Sequence, residues 1–200
     1  MQANQHISDI QTALGFTGKD VDGKRGPKTD AAILAAADEG RLTVAPPLVV
    51  ITAPGADSDI PATGVEKLKG VHNVLTGIIH EAAIRCDVPF TVIEGLRSKE
   101  RQAQLVKAGA SKTTNSRHLT GHAVDLWPLD PVTGKALPSD AAFPCGSAEA
   151  KAASARLWSD LRKIAAVVKA VARDRGVLIE WGGDWGWDAP HFQLNRKAYP

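Results

Sequence analysis

The chain contains stretches in which apolar residues recur every three or four positions, the spacing of an amphipathic helix. The first predicts a single helix beginning at Val65, with apolar positions Leu68, Val71, Leu75, Ile78, Ile79 and Ala82. A longer one predicts a helix that ends at Gly176, with apolar positions Leu157, Leu161, Ile164, Val168, Val171 and Ala172. Between them, Ser98 is placed to cap a helix that continues to about Gly109.

Four short runs of apolar and β-branched residues predict strands at residues 90–93, 122–127, 177–180 and 191–194. The predicted order is therefore helix, strand, helix, strand, helix and two strands, joined mostly by short connections. This order favours an α+β domain in which helices pack against a small antiparallel sheet.

The N-terminal part has a different pattern. Residues 1–42 predict a small helical unit, with a turn signal at Asp22-Gly23 and with Pro27 suited to the first position of a helix. Residues 43–63 contain four prolines and predict a linker. Residues 64–200 then have the length of one ordinary domain.

Composition narrows the possible functions without selecting one. The formal net charge of +2 does not favour a nucleic-acid partner, and no apolar run approaches the length of a membrane span. The first residues lack a basic segment followed by an apolar one, so we expect a protein made in the cytoplasm without a signal peptide. Cys86 and Cys145 have no metal-binding spacing, and whether they pair is left open.

Two segments rich in histidine and aspartate carry the candidate chemistry. The first is SRHLTGHAVD at residues 116–125, and the second is EWGGDWGWDAPHF at residues 180–192. His118, Asp125 and His191 are suited to hold a zinc ion, which accepts nitrogen and oxygen ligands and in catalytic sites keeps one position open for water. Asp188 would then remain free to handle protons.

These segments resemble the motifs of a known family. SRHLTGHAVD fits the pattern Ser-x-His-x-x-Gly-x-Ala-x-Asp, and the second segment contains its usual partner, Asp-x-Pro-His-Phe. The chain thus resembles, over roughly residues 64–194, the zinc peptidases that include D-Ala-D-Ala carboxypeptidases and the L-alanyl-D-glutamate endopeptidases of phage endolysins. The resemblance implies a hedgehog/DD-peptidase-type fold, one zinc ion and peptidoglycan as substrate.

The resemblance also implies roles for individual residues. Asp188 matches the general base, although an aspartate before a proline-containing turn can be purely structural. Arg97, in the stretch GLRSKERQ, matches the arginine that stabilises the oxyanion. Asp184 is a competing base that we interpret as structural, and Glu180 is a third, weaker candidate.

Four further residues are expected near the site. Ser116 would contact substrate, orient His118 or cap a turn. His122 occupies a variable position of the motif and is expected close to the site without binding metal. Trp185 belongs to a group of tryptophans that could wall a cleft or pack in the core, the others being Trp127, Trp181 and Trp187. His122, Asp184 and Trp185 are, like Ser116, possible substrate contacts.

The N-terminal string VDGKRGPKTDAAI resembles the core of peptidoglycan-binding repeats, the alternative being a helical appendage without a ligand. Together the resemblances predict a monomeric phage endolysin that cuts between L-Ala and D-Glu and reaches the cell wall through a holin. The alternatives are a D-Ala-D-Ala carboxypeptidase and a zinc-containing wall-binding module without catalysis.

Overall fold

The computed structural model describes residues 59–200, together with residues 11–12, 14–21, 29, 32 and 35. Four helices lie in the continuous part: α1 (Ala62–Lys67), α2 (Asn73–Arg85), α3 (Lys99–Lys107) and α4 (Ala148–Asp174). Four strands accompany them: β1 (Phe90–Glu94), β2 (Ala123–Pro128), β3 (Ile179–Trp181) and β4 (His191–Leu194). Short 3₁₀ helices are Gly18–Asp20, Arg117–Thr120, Asp140–Ala142 and Gly182–Trp185.

The strands form one antiparallel sheet in the order β1-β2-β4-β3. Asp125 on β2 lies directly opposite His191 on β4, and a register irregularity in β1 brings Glu94 opposite Asp125. The α+β class and the antiparallel sheet predicted from the sequence are therefore confirmed. The sheet brings the two predicted metal-binding segments together, because they contribute its two central strands.

Helices α2 and α4 pack against each other, and α4 also contacts β2 and β3. Each apolar position predicted for the long helix is buried in this core, and Gly176 has a left-handed backbone just after the helix ends. Burial of such side chains contributes about 1.5–3 kcal/mol each. The core therefore fixes the rear of the sheet and leaves its other side to the polar residues of the two motifs.

The single helix predicted from Val65 is wrong: α1 ends at Lys67 and α2 begins at Asn73. Gly70 separates them with a φ of 78°, which is outside the helical range and which only glycine adopts at little cost. The His72 side chain then caps α2 by accepting a hydrogen bond from the Val74 amide. The apolar spacing continued across this break because Leu68, between the helices, and the apolar residues of α2 are buried in the same core.

The turn between α1 and α2 contacts the first motif. The backbone N–H of His72 donates to the carbonyl oxygen of Gly121 at 2.8 Å. Gly121 also has a left-handed backbone, and a Cβ there would collide with the carbonyl oxygen of Gly70. The turn between α1 and α2 therefore packs against the turn that follows His118.

Three further predictions concern the cysteines, membrane-spanning helices and the N-terminal unit. Cys86 is half-buried and Cys145 is exposed, and both are free thiols. No helix in the described residues is both long and apolar enough to cross a membrane. Most of the predicted N-terminal unit and linker, including the string VDGKRGPKTDAAI, lies outside the described residues.

Candidate metal centre and active-site cavity

The three predicted metal ligands meet where the first motif faces the start of β4. His118 lies in the 3₁₀ helix Arg117–Thr120, whose first turn is capped by Ser116 accepting from the His118 amide at 3.3 Å. Asp125 projects from β2, and His191 is the first residue of β4. Two ligands are thus held by the ladder of the sheet and the third by a capped turn.

The donor atoms form a nearly equilateral triangle. Nε2 of His118 lies 3.2 Å from Oδ1 of Asp125 and 3.2 Å from Nδ1 of His191, and that Nδ1 lies 3.2 Å from the same carboxylate oxygen. Zinc bonds of 2.0–2.1 Å in a tetrahedron place two ligand atoms about 3.3 Å apart. The triangle therefore has the dimensions that zinc requires.

The outer nitrogens of the two imidazoles determine which nitrogen can bind metal. Nδ1 of His118 donates to the carbonyl oxygen of Gly95 at 2.7 Å, and Nε2 of His191 donates to Oε1 of Gln193 at 3.0 Å. The nitrogens of the triangle are then free to present lone pairs, as metal-bound histidines do. Three acceptors facing one point repel each other unless a cation lies between them.

The pKa shifts of Asp125 and His191 reflect how closely the donor atoms face each other. Burial alone would raise the pKa of Asp125, but the hydrogen bonds and charges of His118 and His191 outweigh it and hold that pKa far below its usual range. Burial likewise lowers the pKa of His191, but its hydrogen bonds to Asp125 and Gln193 and the charges of Asp125 and Asp188 together raise that pKa above its usual value. A raised pKa favours a proton on this imidazole, and a metal that binds there would displace it.

A chain of hydrogen bonds continues behind His191. Gln193 is buried, and its amide nitrogen donates to Oε2 of Glu180 at 2.6 Å. The other carboxylate oxygen of Glu180 accepts from Asn195 at 2.7 Å. Because Glu180 can only accept, it fixes the Gln193 amide so that its oxygen faces His191. Glu180 supports the metal centre from the rear and is not part of the cavity lining.

Asp188 lies beside the triangle, at the wall of the cavity and half-buried. Burial raises the pKa of its carboxyl group, and attraction to His191 partly opposes that rise. Its carbonyl oxygen accepts from the His191 amide at 3.1 Å, so the backbone connects it to a metal ligand. A Cβ at Gly182 would collide with the Asp188 backbone, so only glycine allows this approach.

Arg97 lines the same cavity with only 8% of its side chain exposed. Its Nε and Nη2 donate to the Glu94 carboxylate at 2.8 and 2.6 Å, its Nη1 donates to Gln102 at 2.7 Å, and Nη2 lies 3.5 Å from Oδ2 of Asp125. These contacts use four of the five N–H groups of a guanidinium and leave one on Nη1. Glu94, which sequence reasoning missed, is thus the residue that holds Arg97 in place.

The cavity has a volume of about 510 Å³, and Ser116 and Trp185 line it as predicted. His122 and Asp184 do not line it. His122 contacts Thr120 at 2.9 Å and stacks near His72, while the exposed Asp184 forms an ion pair with Lys169 at 2.6 Å.

The tryptophans divide between the two predicted roles, lining a cleft and packing in the core. Trp187 lines the cavity beside Trp185, whereas the indole N–H groups of Trp127 and Trp181 donate to the backbone at 2.8 and 2.7 Å. Trp181 is buried in the core, where its ring stacks on Phe192.

A His–Asp–His donor triangle, next to a half-buried carboxylate in an open cavity, is typical of metal-dependent hydrolases. Residues 59–139 match the family model of phage L-alanyl-D-glutamate peptidase, and residues 109–194 match that of D-alanyl-D-alanine carboxypeptidase.

The chain is also similar to individual proteins. It is 34% identical over 114 residues to the L-alanyl-D-glutamate peptidase of Listeria phage A118. The aligned segment covers 56% of this chain but only 32% of that relative's length. The crystal structure of the Serratia marcescens L-Ala D-Glu endopeptidase ChiX is similar with a TM-score of 0.56 and 39% identity, over 70% of this chain and 91% of that one. The chain therefore belongs to the L-alanyl-D-glutamate peptidases of the zinc-dependent D-Ala-D-Ala carboxypeptidase family.

Proposed function

We propose that this protein is a zinc endopeptidase that hydrolyses the bond between L-Ala and D-Glu in peptidoglycan stem peptides, as an endolysin does. The observation that carries the proposal is the donor triangle with Asp188 beside it in an open cavity. The similarity to two L-Ala-D-Glu peptidases supports the choice of bond. All donors come from one chain, in keeping with activity as a monomer.

In the proposed mechanism, His118, Asp125 and His191 hold one zinc ion, which when bound supplies the Lewis acidity that makes water nucleophilic near neutral pH. Asp188 accepts the proton of the attacking water and then gives it to the leaving amine of D-Glu. Its half-buried position suits this role, because a carboxyl group with a raised pKa returns a proton more readily.

Arg97 completes the proposed mechanism by donating its remaining N–H to the oxygen of the scissile carbonyl as negative charge develops there. The bidentate contact with Glu94 keeps the guanidinium oriented before substrate arrives. Preorganised donors of this kind need little rearrangement during the reaction, which is the source of their catalytic benefit.

The bond is tested by digesting purified sacculi and analysing the released fragments by mass spectrometry. We expect new free amino groups on D-Glu. Release of D-Ala alone would instead establish the carboxypeptidase alternative, which the match of residues 109–194 keeps in consideration. A wall-binding module without catalysis would release neither product, and the presence of both Asp188 and Arg97 in the cavity argues against it.

We further propose that residues 1–42 bind peptidoglycan, that residues 43–63 link them to the peptidase domain, and that the enzyme leaves the cytoplasm through a holin. Removing residues 1–45 is expected to weaken sedimentation with sacculi and to leave cleavage of a small soluble stem peptide largely intact. A tethering unit acts by raising the local concentration of enzyme at the polymer. Equal sedimentation of the truncated and full-length proteins would assign the unit another role.

The hydrogen bond behind His191 gives a separate prediction. Gln193→Ala should weaken zinc binding roughly 10- to 100-fold, the usual effect of removing a partner that orients a metal ligand. Zinc affinity is measured by competition with a chromophoric chelator. Gln104→Ala, at an exposed position of α3, is the control and should leave that affinity unchanged. Unaltered affinity in Gln193→Ala would show that β4 alone orients His191.

A further inference from the structure

Three basic residues that the proposed mechanism does not use also line the cavity: Lys112, Arg117 and Arg196. The acidic lining residues are already engaged or assigned, since Glu94 pairs with Arg97, Asp125 belongs to the donor triangle and Asp188 lies beside it. No ion pair joins any of the three basic side chains to a carboxylate in the described part of the chain. The lining therefore contains three basic side chains that form no ion pair with its acidic ones.

Arg117 and Arg196 line the same cavity. Arg117 is 5% exposed, and its Nε has no hydrogen-bond partner among the described residues. Its Nη2 donates to the carbonyl oxygen of Tyr199, and Arg196 donates to that of Asn115 at 2.8 Å. Two guanidinium groups that line one cavity and form no ion pair in the described part of the chain favour the binding of an anion.

Lys112 is exposed and contacts one of the two cavity-lining tryptophans. Its ammonium group lies 4.0 Å from the centre of the Trp187 ring, a cation–π contact. The Trp187 and Trp185 rings are 5.9 Å apart, and the Trp185 and His191 rings are 5.5 Å apart. A row of rings thus connects the lysine to the metal centre, in the cavity that Arg117 and Arg196 also line.

We infer that Lys112 and Arg196, backed by the buried charge of Arg117, bind a carboxylate of the stem peptide on the amine side of the scissile bond. This inference rests on the proposed function. In stem peptides D-Glu continues through its γ-carboxyl group, so its α-carboxylate is free, and a diaminopimelate at the next position carries a second free carboxylate. Either group enters the cavity together with the reacting amide.

The test uses three soluble peptides that differ only in these groups. The first contains D-Glu and diaminopimelate, the second replaces D-Glu by D-isoglutamine, and the third replaces diaminopimelate by lysine. We expect Lys112→Met and Arg196→Met each to raise KM for the first peptide roughly tenfold, the lower end of what a hydrogen bond to a charged group contributes. kcat should change little, since neither residue is assigned to the reacting atoms.

On the peptide that lacks the contacted carboxylate, these variants and the unaltered protein should have the same KM. An effect that vanishes with D-isoglutamine identifies the D-Glu carboxylate, and one that vanishes with lysine identifies the diaminopimelate carboxylate. Lys112→Arg should restore most of the affinity because it restores the charge. Lys107→Met, an exposed lysine outside the cavity, is the matched control.

Two outcomes would overturn the inference: an unchanged KM in both variants, or an equal loss on all three peptides. Calorimetric titration of the peptides into Asp188→Asn protein, with and without Lys112→Met, gives the same comparison without turnover. If the unaltered protein cleaves none of the peptides, the proposed function fails, while the binding titration still decides whether the basic residues recognise a carboxylate.

Discussion

Replacing Asp188 with asparagine is expected to lower kcat by roughly 10²–10⁴-fold, the usual contribution of a general acid–base group. Asparagine has nearly the same size and shape, but it cannot accept the proton of the attacking water. Asp188 is not one of the three donors of the triangle, so zinc content and melting temperature should change little. Turnover of a soluble stem peptide and metal analysis of the purified variant measure the two effects.

Asp125→Asn is the control for this experiment. It alters a metal ligand, so zinc affinity should fall together with the rate. Loss of zinc from Asp188→Asn would make Asp188 a ligand and refute its assignment as the base. If the variant keeps both zinc and rate, the base lies elsewhere and Asp184 is the next candidate, although its ion pair with Lys169 lies outside the cavity lining.

Replacing His118 or His191 with alanine is expected to abolish both zinc binding and wall lysis. Each change removes one corner of the triangle and leaves two donors, fewer than the three protein ligands typical of a catalytic zinc site. The unaltered protein should contain about one zinc ion per chain. Elemental analysis and the clearing of a sacculus suspension provide the measurements.

His122→Ala is the control for metal content, because His122 lies outside the triangle. Chelation of the unaltered protein should remove activity, and added zinc should restore it. Full lysis after exhaustive chelation, with no metal found by analysis, would exclude the zinc mechanism altogether.

The donor triangle was predictable because its members occupy fixed positions of a motif. Sequence spacing also identified the strands that hold Asp125 and His191, whereas the pairing of these two residues across neighbouring strands is known only from the structure. Gly70 was harder to interpret, because the apolar spacing continues through it and a glycine within a helical pattern is often tolerated. Its left-handed backbone and the close approach of Gly121 to its carbonyl oxygen, which separate the two helices, are visible only in the structure.

The residues that support the site were the ones that sequence reasoning missed. Gln193 is two positions after His191, and the alternation of a strand places both on one face, so that signal was present. Glu94 and Lys112 gave no such signal. Glu94 lies only three positions before Arg97, but the two are in different elements, and neither the strand nor the helix pattern indicates that they meet. Lys112 meets Trp187 across 75 residues of chain, and a long-range contact of this kind has no local pattern.

The pairing of Asp125 with His191 also affects how the protein reaches its native state. These residues lie on neighbouring strands but are 66 positions apart in the chain, so the site does not exist until β4 has joined the sheet. An ion that binds only the folded form stabilises it, by about 2.7 kcal/mol when its free concentration is 100 times its dissociation constant. The supply of zinc during synthesis would therefore affect the fraction of chains that are folded and resist proteolysis, in addition to the activity of the folded enzyme.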